Sequence, residues 1–224
     1  MLAAFPTRKT RAVRLMSPAL AAPGDLAESS LAQEPDTVRL LLSKGSSLGV
    51  WEAAALGLTN QLARMIAADP GLVHATDGLL RTALHYAANR CQVAAARLLL
   101  DAGAAPSPTA GSLPAGEPDH RFVSGCTPLH LAASRNCSEL VQLLINAHAD
   151  VHATTGDGDT PLHWAAVSST PEALQRLVQA GASLDATNAA GLSPLWSAAR
   201  AHRSDNVKQL LAAGASHLPT PQGD

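Results

Sequence analysis

The stretch Thr127-Pro128-Leu129-His130-Leu131-Ala132-Ala133-Ser134-Arg135-Asn136, followed by Ser138-Glu139-Leu140-Val141-Gln142-Leu143-Leu144-Ile145, decides the fold. Thr127 suits a helix N-cap, and Pro128 fits the first turn, where its missing N–H has no partner to lose. Leu129 and the Ala132-Ala133 pair put small apolar groups on one face. Asn136 ends this short helix, and a second starts at Ser138. Leu140, Val141, Leu143, Leu144 and Ile145 then form an apolar stripe at helical spacing.

The pattern repeats along the chain. Thr82-Ala83-Leu84-His85, Thr160-Pro161-Leu162-His163 and Ser193-Pro194-Leu195-Trp196 match its start, so the four copies begin 45, 33 and 33 residues apart. Each has an Ala pair, ending at Ala88, Ala133, Ala166 and Ala199, and then Gly103, His148, Gly181 or Gly214 where the second helix should stop. No single helix pair can bury its own apolar face, so the pairs must stack. The expected class is an all-α solenoid of helix-turn-helix units joined by hairpin fingers. Weaker copies begin near residues 49 and 24, giving six units over about 24–216. The 24–48 unit reads as a polar cap through Glu28, Ser29 and Ser30. The long spacing carries 12 extra residues, rich in Pro and Gly, assigned to about 104–121. They read either as a neutral surface insertion or as a long finger that touches a partner through His120, Arg121 and Phe122.

Composition agrees. The 224 residues are 46% hydrophobic but 3% aromatic, so the core must be Ala, Leu and Val. A net charge of −2 argues against nucleic-acid binding by the whole chain, and no apolar run is long enough to span a membrane. Residues 1–23 hold Arg8, Lys9, Arg11 and Arg14 with no acid; they read as a solvated, disordered tail. An organelle transit peptide and a start at Met16 are the alternatives. Residues 217–224 form a second tail. Cys91, Cys126 and Cys137 lack zinc-type spacing and read as three reduced thiols of a cytoplasmic protein, with Cys137 packed and inert.

The TPLH-like starts, the Ala pairs, the leucine runs and endings such as Gly181-Ala182-Ser183-Leu184-Asp185-Ala186 resemble the ankyrin-repeat family. That resemblance implies that His85, His130 and His163 make hydrogen bonds between neighbouring units. It also implies a concave groove, lined by finger tips and by the exposed side of each first helix, that binds other proteins. Carried over by position, its candidates are Arg81, Phe122, Asp157 and Asp159 on the tips. On the helices they are Asn89, Arg90, Ser134, Arg135, Val167, Ser168 and Arg200, with Tyr86, Leu131 and Trp164 at a neighbouring position. For Trp164, inter-repeat packing is the competing role. Arg90, Arg135 and Arg200 point equally to an acidic partner or to plain solubility.

Nothing in the sequence supports catalysis. Phosphate-binding glycine loops, H-E-x-x-H and G-x-S-x-G are all missing. The nine histidines invite a metal, but helices in contact lie 8–10 Å apart, whereas zinc ligands crowd within about 2 Å of one ion. The expectation is a monomeric, non-enzymatic scaffold with no cofactor, binding an unknown protein partner and neither nucleic acid nor membrane. The alternatives are an assembly subunit of a larger complex and, more remotely, an enzyme or metal-binding protein.

Overall fold

The computed structural model describes residues 48–111, 124–168 and 171–216. The expected unit at 24–48, both tails and Phe122 lie outside them. The described residues form five helix pairs: α1 (Val50–Ala55) with α2 (Thr59–Ala68), α3 (Ala83–Asn89) with α4 (Val93–Asp101), α5 (Pro128–Ser134) with α6 (Ser138–Asn146), α7 (Pro161–Ala166) with α8 (Glu172–Gln179), and α9 (Pro194–Arg200) with α10 (Ser204–Ala212). A single 3-10 turn, Pro70–Val73, follows α2. The first helices α1, α3, α5, α7 and α9 stack in chain order, and α2, α4, α6 and α8 form a second layer behind them. No helix among the described residues is long and apolar enough to cross a membrane.

The alanine pairs explain the close layering. Ala53-Ala54, Ala87-Ala88, Ala132-Ala133 and Ala165-Ala166 are all buried, so neighbouring backbones meet without bulky side chains between them. Leu62, Leu99, Leu144, Leu177 and Leu210 fill the second layer, each fully buried. Thr82, Thr127, Thr160 and Ser193 cap the first helices in extended conformation.

The histidine expectation holds in detail. His85 Nδ1 accepts the Thr82 N–H at 3.1 Å, and its Nε2 lies 3.1 Å from the Cys126 carbonyl in the next unit. His130 Nε2 reaches the Asp159 carbonyl at 3.0 Å, and His163 Nε2 the Leu192 carbonyl at 2.9 Å. A backbone N–H can only donate, so Nδ1 must be bare and Nε2–H is the donor to the carbonyl. Each histidine thus caps its own helix and holds the next unit.

Glu52 occupies the equivalent place in the first described unit and is only 3% exposed. Burial pushes its carboxyl above the usual range, against bonds from the Glu52 and Gly49 backbone, and Oε2 has no hydrogen-bond partner. A charge desolvated in this way costs stability at neutral pH. Glu52→Gln keeps the acceptor and removes the charge, so we expect a gain of about 1 kcal/mol at pH 7 in urea melts. A loss would show that the carboxylate itself is required.

Three of the four second-helix stops use glycine at positive φ, namely Gly103, Gly181 and Gly214; His148 sits there at φ 62°. A Cβ built on any of the three glycines meets no atom within 4 Å, so the site has room and the cost at His148 lies in the backbone. His148→Gly should stabilise by about 0.5–1 kcal/mol, and a lower melting temperature would refute this.

The fingers carry their own repeat. Gly156 N–H donates to Ser124 O at 2.6 Å and Ala189 N–H to Asp157 O at 2.8 Å, joining each tip to the one before. In the unit with extra residues, Gly111 makes the corresponding bond to Leu79 O at 2.7 Å, and Ala110 N–H closes the finger base onto Cys126 O at 2.8 Å. The chain is therefore in register up to Gly111 and again from Ser124. The residues between these two positions lie outside those described.

One expectation fails. Cys91 and Cys137 are joined by a disulfide, with their Cα atoms 5.8 Å apart; Cys126 alone is free and buried. Cys91 fills the left-handed inter-helix turn at φ 55°, as Asn136 does in the next unit at φ 54°. Cys137 stands one residue beyond that turn, and stacking brings the two sulfurs together. Cys137 is packed, as expected, but not as an inert free thiol.

Candidate functional site

The fingers and the C-terminal halves of the first helices border a groove of about 440 Å³ over the units starting at 127, 160 and 193. Trp164 on α7 lines it, with Val167 just beyond the helix and Leu192 on the last finger. Ser134, Arg200 and Ala201 line it as well. The Trp164 ring stands edge-on to His130, centroids 5.4 Å apart at 70°, which fixes its plane. Val167 is 40% exposed, a large apolar group facing solvent. Arg203 Nε donates to the Val167 carbonyl at 3.0 Å, holding the turn that presents it.

The polar side is equally ordered. Asp159 Oδ1 accepts from Asn188 Nδ2 at 2.7 Å, and Asn188 Oδ1 accepts the Ala190 and Leu192 N–H groups. His163 also lines the groove, its basicity lowered by burial against the opposing pull of the Leu192 carbonyl and Asp159. No group of three or more metal-ligating side chains occurs among the described residues.

Of the sequence candidates, Ser134, Asp159, Trp164, Val167 and Arg200 come together here. Others do not. Tyr86 and Leu131 are 1% exposed, and Asn89 is equally enclosed. Ser168 is buried, its hydroxyl donating to Ala165 O. Arg81 is buried because Asp77 draws it inward: Arg81 Nε and Tyr86 Oη donate to Asp77 Oδ2 at 2.6 and 2.7 Å, and the guanidinium lies over the Tyr86 ring. Burial pushes the Asp77 carboxyl up, but these bonds and those from the Arg81 and Leu79 backbone outweigh it and leave it below its ordinary value. Tyr86 therefore serves the finger rather than a partner. Arg135 is exposed, with Nε and Nη2 donating to Asn89 Oδ1 at 3.1 and 2.7 Å; Asp157 is exposed at a tip, and Arg90 is half-buried. His163 as a groove wall and Arg203 as a brace were missed, because neither stands at a position the resemblance marks as binding.

The family model for ankyrin repeats (3 copies) matches residues 28–155 and 129–220. A curated relative is the BTB/POZ domain and ankyrin repeat-containing protein NPR5 of Oryza sativa subsp. japonica, 40% identical over 76 residues. That match covers 34% of this chain and 13% of the rice protein. With the repeat register, the capping histidines and the family match in agreement, the chain belongs to the ankyrin-repeat family, whose members in general are non-enzymatic modules of protein–protein interaction.

Proposed function

We propose that the chain binds a protein partner in the groove between Trp164, Val167 and Arg200. The observation that carries this reading is an exposed valine and a half-buried tryptophan beside an exposed arginine on a backbone already tied in place. A preformed surface loses little conformational freedom on binding, so a few anchors suffice. An apolar side chain of the partner would rest against Trp164 and Val167. An acidic residue beside it would reach Arg200, which makes the association weaken as salt rises.

The test compares proteins captured from the source cell on wild-type chain, on Val167→Asp, and on Trp164→Ala with Arg200→Ala. We expect one partner to be lost from both variants, by tenfold or more in affinity once it is purified. Val167→Asp alters an exposed side chain, so its fold should be unchanged by circular dichroism. Equal capture on a folded Val167→Asp would sink the reading.

A permanent place in a larger assembly is the second reading, favoured by Trp196 and Leu211, 38% and 46% exposed on the last unit. Gel filtration separates the two: an obligate subunit self-associates when isolated, whereas an interaction module elutes as a monomer.

A further inference from the structure

We propose that the Cys91–Cys137 disulfide is a reversible exchange site for low-molecular-weight thiols of the glutathione type, entered at Cys91, which latches and releases the junction between the units starting at Thr82 and Thr127. The inference does not depend on what the groove binds.

The three cysteines differ sharply in access. Cys126 is fully buried, and burial pushes its thiol up to about 12, so it holds little thiolate with which to attack the disulfide. Cys137 is 5% exposed at the N-cap of the nine-residue α6. Cys91 is exposed in the turn between α3 and α4. Residue exposure therefore favours attack of an incoming thiolate at Cys91. The leaving group is then Cys137, released as a thiolate at the N-cap of α6, where the positive end of the helix dipole favours negative charge against the opposing Glu139 carboxylate in the first turn. A stabilised leaving thiolate speeds exchange.

The steps balance. The external thiolate forms a sulfur–sulfur bond to Cys91, and the bond to Cys137 breaks, its electron pair staying on Cys137. A second external thiol attacks the outer sulfur of the mixed disulfide and frees Cys91. The net change is two external thiols oxidised to their disulfide and the protein disulfide reduced to two thiols, two electrons passing inward. Excess external disulfide drives the reverse.

Opening need not unfold the stack. Arg135 spans the same junction to Asn89 Oδ1 at 2.7 Å, and α3 still packs on α5. Release therefore loosens the two turns while the helices stay in place.

The full chain is equilibrated in mixtures of reduced and oxidised glutathione, alkylated without denaturant and weighed intact. We expect Cys91 alkylated in reducing mixtures and neither disulfide cysteine in oxidising ones, with Cys137 and Cys126 labelled only after denaturation. Hydrogen exchange of residues 89–93 and 135–138 should quicken on the order of tenfold on reduction. With Cys137→Ser, Cys91 should take up one glutathione; with Cys91→Ser, Cys137 should take up none in the same time. A disulfide that opens only in denaturant, or a Cys137 glutathionylated as fast as Cys91, overturns the proposal. The wild-type titration stands whether or not the serine variants fold.

Discussion

Acidifying the protein from pH 7 to pH 4 should lower its urea midpoint steadily, because His85 and His130 must remain neutral for the stack to hold. Burial lowers both to about 4, outweighing the pull of the Cys126 and Asp159 carbonyls. An unfolded histidine titrates near 6.5. Between these values the unfolded chain binds protons that the folded chain refuses, so stability falls as pH drops from about 6.5 and levels off, for these groups, below about 4. The difference corresponds to about 3 kcal/mol for each residue at most. His163 acts in the same direction. Glu52, raised by burial, acts in the opposite direction as it gains its proton. The Thr127 N–H adds to the effect of burial, since it points at His130 Nδ1 from 3.2 Å and a proton on that nitrogen turns a cap into a repulsion. Urea melts at pH 7, 6, 5 and 4 measure the slope, and a flat midpoint across that range would refute the neutral ladder.

The second large effect is on the disulfide. Its sulfurs close a loop over a sequence separation of 46, so reduction should cost about 2–4 kcal/mol, chiefly by freeing the unfolded chain. A fall in melting temperature on the order of 10 °C is expected when a phosphine reductant is present. Cys126 cannot substitute as a bonding partner, since it lies buried with its Sγ against the Thr127 carbonyl. An identical melt with and without reductant would refute this stabilisation, since a bond that constrains the unfolded chain must raise the melting temperature.

Much of this fold could be read from short motifs. Thr, Pro, Leu and His recur at one spacing because each has one local role, as cap, first turn, core contact and forward hydrogen bond in that order. The cap and first-turn roles depend on neighbours in sequence, and the forward bond of the histidine recurs with them because the unit repeats, so a single chain displays them all. The disulfide depends instead on an offset between units. Cys91 and Cys137 are not equivalent repeat positions, and only stacking brings them together. The groove was legible in part. Val167 and Arg200 follow from helix register, but Tyr86 does not, because Asp77 in the finger pulls its hydroxyl inward. A buried carboxylate recruits any donor within reach, and a pattern of helix faces does not record that. Leu131 was misplaced for a simpler reason: its side chain lies in the core contact between neighbouring first helices.

The finger bonds have a further consequence. Gly111 and Ser124 sit at the two sides of one tip, each bonded to its neighbouring finger as in the uninterrupted units, to Leu79 O on one side and to Gly156 N–H on the other. Both anchors of this finger are thus fixed by its neighbours. Lengthening a loop adds little closure entropy once both of its ends are held, so these anchors, and not the length of chain between them, set the register of the stack. A finger pinned on both sides is in this sense a splice port: sequence inserted or removed between the pins would leave the helices on either side in step.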